Sequence, residues 1–141
     1  MPGKKAISFD EEFNGLLLGL ASQVKEYQLS WHLNRTLNIH LKRGNDIEII
    51  QKKKNKTSVF SLYRYEDVLD RWKVFVVSNK YLGEFLIPEV RQADYFFIIN
   101  GDVSVQRSDE IHLRLKNNPV IQMIMKLEYK NLKSKRNLIF D

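Results

Sequence analysis

The sequence predicts one α+β domain, a mainly antiparallel sheet of about five or six strands with two helices in the order β-α-β-β-β-β-α-β. Three observations carry that reading. From Tyr95 to Ile99 the residues are large and apolar without interruption, which puts Tyr95, Phe97 and Ile99 on one face of an extended chain and Phe96 and Ile98 on the other. A strand apolar on both faces belongs at the centre of a sheet covered on both sides. Leu29, Leu33 and Leu37 recur every fourth residue, the spacing of one helical face. Most of the other apolar runs are short, β-branched or aromatic, and separated by brief turn signals. That pattern favours neighbouring strands joined by tight connections, with helices on one face.

Residues 1–11 are polar and read as a loose N-terminus, so the domain is expected over 12–141, with a basic tail at 128–141. Phe13 to Ala21 reads as the first strand, in which Gly15 or Gly19 permits close backbone approach. Ser22 serves as the cap of a first helix from about Val24 to Leu37. Ile39 to Ile50 is extended and broken by Arg43-Gly44-Asn45-Asp46. Val59 to Tyr65 alternates like a half-buried hairpin partner, which leaves Lys52, Lys53, Lys54 and Lys56 at the hairpin tip. Trp72 to Ser78 is a strand by its β-branched and aromatic content. Beyond the central strand, Asn100-Gly101-Asp102 turns the chain, and Ser108-Asp109-Glu110 caps a second helix, about Asp109 to Lys116, that Pro119 stops. Val120 to Leu127 is the last strand. The tail ends on Leu138-Ile139-Phe140, apolar enough to dock back on the body.

Leading into the central strand is Ile87-Pro88-Glu89-Val90-Arg91-Gln92-Ala93-Asp94-Tyr95. Ile87 precedes proline and is biased toward extended backbone, whereas Pro88 suits the first position of a helical turn, with Glu89 at the positive end of a short helix. These residues resemble the bacterial IPExxxVDY family, with Ala93 where the family pattern has valine. Tyr27 to Asn34 and Leu132 to Phe140 are similar to the same family, so the likeness spans nearly the whole chain. The resemblance implies a small single-domain bacterial protein; no activity or ligand comes with it, and no functional residues are carried over.

The 141 residues include no cysteine, which rules out disulfides, thiolate metal sites and a cysteine nucleophile, and suits a reducing compartment. Acidic Asp10, Glu11 and Glu12 precede the first apolar run, which is too short to span a bilayer, so a cytoplasmic protein without a membrane partner is expected. The net charge of +6 is unevenly spread. Residues 111–141 carry seven Lys or Arg against two Asp or Glu, and Lys52 to Lys56 form a second focus. Polyanions are the natural partners of such charge.

Glu89 and Asp94 form the first pair to weigh as acid and base, but a glutamate after proline and an aspartate at the mouth of a strand more often satisfy turns. With Ile87, Pro88 and Tyr95 they are read as structural, and no catalytic residues are assigned. His32, His40 and His112 lack the spacing of a helical metal pair, so neither a metal nor any cofactor is expected. No phosphate-cradling glycine loop or hydrolase elbow occurs. Trp31, His32, Asn34 and Trp72 are candidates for a small pocket. Lys52, Lys53, Lys54, Lys56, Lys130, Lys133, Lys135 and Arg136 are candidates for polyanion binding, with Tyr63, Tyr65 and Tyr129 available to stack on bases. The expectation is a non-enzymatic module that binds an unknown protein or forms a homodimer, slightly ahead of a basic RNA-binding or ribosome-associated protein.

Overall fold

The computed structural model describes residues 13–138 and 140, so the expected loose N-terminus and Ile139 of the tail lie outside the described residues. Along the chain come β1 (Gly15–Ala21), α1 (Glu26–Leu37), β2 (Lys42–Arg43), β3 (Ile47–Gln51), β4 (Lys56–Phe60), β5 (Leu62–Asp67) and β6 (Trp72–Ser78). They are followed by β7 (Lys80–Tyr81), β8 (Glu84–Phe85), β9 (Tyr95–Asn100), α2 (Val105–Lys116) and β10 (Met123–Lys126). Six strands form one antiparallel sheet in the order β10-β1-β9-β6-β5-β2, and the ribbons β3-β4 and β7-β8 stand apart from it. This is an α+β fold, with the two-faced strand β9 inside the sheet between β1 and β6.

The alternation along β9 divides the core. Tyr95, Phe97 and Ile99 join Leu16, Leu18, Leu20, Val74 and Val76 under the helices, where Leu29 and Leu33 of α1 and Ile111 and Leu115 of α2 close the layer. Phe96 and Ile98 join Leu17, Phe75 and Val77 on the opposite face. No helix covers that face. The loop after β8 supplies Leu86, Ile87, Val90 and Ala93, the β3-β4 ribbon supplies Phe60, and the tail supplies Tyr129, Leu132, Leu138 and Phe140. Each such side chain contributes about 1.5–3 kcal/mol when removed from water. The tail is therefore part of the fold.

Close approach at β1 depends on glycine: a Cβ on Gly15 would lie 1.8 Å from the Ile99 carbonyl oxygen. At Gly19 it would lie 3.2 Å from the Ala93 Cβ, so the small residue of the loop packs on the small residue of the strand. The tight β7-β8 connection places Leu82 and Gly83 both at positive φ, 45° and 83°, as a two-residue hairpin turn requires.

Several boundaries differ from expectation for identifiable reasons. Val59 to Tyr65 is not one strand; it changes partners at Ser61, with β4 pairing β3 and β5 pairing β6. Ser22 does not cap α1; Lys25 is the N-cap residue, and its N–H donates to the Gln28 side chain at 3.1 Å. The second helix begins at Val105 rather than Asp109, because Ser104, not Ser108, accepts the Arg107 N–H at 3.1 Å. Val105 and Leu113 point outward, which obscured the helical period. The last strand is shorter than expected, since Ser22 Oγ and the Ala21 carbonyl hold Val120 and Gln122 before pairing with β1 becomes regular. Pro88 opens no helix: Val90 N–H bonds the Ile87 carbonyl and Ala93 N–H bonds the Val90 carbonyl, two successive tight turns.

Candidate functional site

The loop from Leu86 to Asp94 is organised by a residue outside the motif. Asn79 is fully buried just past β6. Its amide nitrogen donates to the carbonyls of Val90 and Ala93, both at 2.9 Å, and its side-chain oxygen accepts the Ile87 N–H at 2.8 Å. Its backbone joins Leu86 and Asp94, each at 2.9 Å. One side chain thus satisfies the polar groups of both turns, as buried backbone requires. Sequence reasoning did not single out Asn79, which directly follows the strand expected from Trp72 to Ser78.

The motif residues then divide the remaining work. Ile87 is fully buried in the core, and Pro88 is the exposed corner of the first turn. Asp94 accepts the Ser22 N–H at 2.8 Å and the Lys80 ammonium at 2.6 Å, tying the start of β9 to the end of β1. The Tyr95 hydroxyl donates to the Val24 carbonyl at 2.7 Å. Burial, reinforced by the Glu26 and Asp94 charges, raises the phenol above its usual range and keeps it a donor. Glu89 faces the tail: its carboxylate accepts the Ser134 N–H at 2.7 Å and the Ser134 hydroxyl at 2.9 Å. Partial burial opposes its charge, but the Ser134 amide, its own amide, the Ser134 hydroxyl and the Lys133 amide outweigh that and hold its pKa below the ordinary value. Asn137 adds a bond from its side chain to the Leu86 carbonyl at 2.8 Å. Glu89 and Asp94 serve separate partners, Glu89 fastening the tail and Asp94 the end of β1.

The basic candidates lie in the layer that covers the helix-free face. Lys52, Lys53 and Lys54 form a 3-10 turn at the tip of the β3-β4 ribbon and are exposed, with Asn55 at φ 50° closing the turn. Lys56 pairs with Glu84 at 3.3 Å. Lys130, Lys133 and Arg136 are exposed on the tail, and Lys135 is half-buried. Residues 47–60 carry four Lys against one carboxylate, and residues 128–140 carry four Lys or Arg against one. The loop between them, 80–94, has two cations against three carboxylates, and α1 and α2 together have four against three. The basic excess thus falls mainly on one side of the sheet.

The aromatic candidates are placed differently. Tyr129 is only 6% exposed and stacks on Phe13 with centroids 4.4 Å apart, so it presents no face to a base. Tyr63 and Tyr65 are half-buried against the helix-side core. Trp31 and Trp72 do not share a pocket. Trp31 is exposed on α1 beside His32, with the Arg35 guanidinium 4.9 Å from its ring centroid. Trp72 is buried, donates to the Asp102 carbonyl at 2.9 Å, and lines a cleft of about 360 Å³ between α2 and the sheet. Asn34 is occupied in both directions by the Leu41 backbone, closing the turn after α1. Physically, the helical period puts Trp31 two residues from buried Leu29 and Leu33, on the outward face.

Among the described residues no cluster of three or more His, Asp or Glu could hold a metal ion, and no helix is long and apolar enough to cross a membrane. No family model, curated protein or solved structure matches the chain.

Proposed function

We propose that the protein is a non-enzymatic, cytoplasmic binding protein that holds the phosphate backbone of structured RNA, on the ribosome or elsewhere. The observation that supports this reading is the concentration of cations in the ribbon and tail that cover one face of the sheet, against near neutrality on the helices. Lysines at an exposed turn neutralise phosphates and release counterions without reading sequence. With Tyr129 buried and Tyr63 and Tyr65 half-buried, these three tyrosines give base stacking little to draw on beside the lysine clusters, so a duplex recognised by its backbone suits the basic face better than a single strand. The resemblance to the bacterial IPExxxVDY family enters the same proposal, with Ile87, Pro88, Glu89, Asp94 and Tyr95 in structural roles. Replacing Lys53 and Lys54 by glutamate is expected to abolish duplex binding, measured by fluorescence anisotropy, while leaving the melting temperature unchanged; retained binding sinks the assignment.

A protein partner, or a second copy of the chain, is the other reading. It is favoured by Tyr27 and Trp31, 57% and 55% exposed, with Arg35 on the same side of α1, since these residue types dominate interface energies.

A further inference from the structure

The two edges of the six-stranded sheet are unlike. At one end β2 is two residues long and both are charged, Lys42 and Arg43, a common way of keeping an edge from pairing. At the other end β10 runs Met123-Ile124-Met125-Lys126, and among the described residues nothing pairs with its outer side. Its inner side bonds β1 through odd-numbered residues: the Leu127 N–H donates to the Leu17 carbonyl, one step beyond Leu18 opposite Lys126. Antiparallel alternation then turns the N–H and C=O of Ile124 and Lys126 away from the sheet. Met123 is 42% exposed and Ile124 and Met125 are half-buried, so the edge is apolar as well as unpaired.

An open edge accepts another strand, and the sequence of β10 is complementary to itself. With Met125 on a twofold axis, Ile124 of one copy stands opposite Lys126 of the other, and each such pair exchanges both of its backbone bonds. On the helix-free face Met125 then meets Met125 and Met123 meets Leu127, an apolar row without a charge. On the helix face Lys126 meets Ile124 and lies diagonal to its own copy rather than opposite it. Glu128, whose backbone is still extended, comes opposite Gln122. Lys116 of α2 lines a groove with that glutamine, so the Glu128 of the second copy faces a cation. We infer that a second copy of this chain docks on β10, joining the two sheets into one across a twofold axis. Pairing of this kind closes on itself and stops at two copies. The axis stands perpendicular to the sheet, so the ribbon and tail of both copies face the same way, and the dimer itself does not depend on what those surfaces bind.

The chain has no cysteine, so a single introduced one reports on its own neighbour. Met125→Cys is expected to cross-link to its copy under air, because opposite residues that are not hydrogen-bonded lie about 4.5 Å apart between Cα atoms, within disulfide reach. Met123→Cys is more exposed but stands opposite Leu127, and is expected to stay uncross-linked. Sedimentation velocity without RNA is expected to show twice the monomer mass for the wild-type chain and the monomer mass for Lys126→Pro. That proline removes an outward N–H and takes no bond from β1, so the melting temperature is expected to hold; a variant that fails to fold contradicts the outward placement of that N–H. A wild-type chain that stays monomeric at its highest soluble concentration, open-ended association, or cross-linking of Met123→Cys in place of Met125→Cys overturns the proposal. So does a dimer untouched by Lys126→Pro, which would move the contact elsewhere, to the exposed Tyr27 and Trp31 of α1 first.

Discussion

Asn79 bonds three separate points of the loop that follows it, and all three lie where water cannot replace it. Asn79→Ala would orphan the Ile87 N–H and remove a partner from two carbonyls, a loss of about 3–5 kcal/mol on the usual scale for buried polar groups. Urea denaturation measures this directly, and a loss under about 1 kcal/mol contradicts the assignment. Nothing local to Asn79 announced the role. An asparagine followed by lysine after a strand has the signature of a turn, and its partners lie 8 to 14 residues ahead. Ser104 and Ser108 show the same limit on a smaller scale, because both are plausible caps until the Arg107 N–H is located.

Among the elements, β9 was legible because an uninterrupted apolar run has only one comfortable place in a sheet, and α1 because its leucines keep a strict period. The switch at Ser61 was not legible, since alternation continues through it unchanged while the pairing partner changes. Pro88 was ambiguous for a similar reason: proline suits the first corner of a tight turn as well as a helix start, and the Asn79 contacts select the former. The apolar ending of the tail did announce docking, and Leu138 and Phe140 are buried.

What the sequence did not disclose is the fastening of that tail by Glu89 to Ser134. The carboxyl titrates below the ordinary 4.5, so its stabilisation is fully present above the unfolded-state value and is lost as pH falls through the folded-state value. Glu89→Gln is expected to destabilise the fold at neutral pH by about 1 kcal/mol, modest because the contact is largely exposed. The gap from wild type should close on acidification well below 4.5. Chemical denaturation across that range checks it, and a gap that stays constant into strong acid contradicts a charged fastening.

At the scale of the molecule, fold and charge follow from one arrangement. Two helices cover one face of the sheet, while a loop, a ribbon and the tail cover the other, and the second cover carries most of the basic excess. The sequence displayed both lysine-rich stretches but not their shared side, because the ribbon and the tail are distant in the chain and meet only through the core they cover. It also offered aromatics as stacking partners that the fold uses for packing, Tyr129 above all. The remaining cations are suited to phosphates. The most direct measurement of that claim is the affinity of the wild-type chain for an RNA duplex at a series of salt concentrations. The account predicts binding at low salt with log K falling linearly by at least about three per decade of salt, the mark of several phosphates neutralised. Absent binding, or binding indifferent to salt, would contradict it.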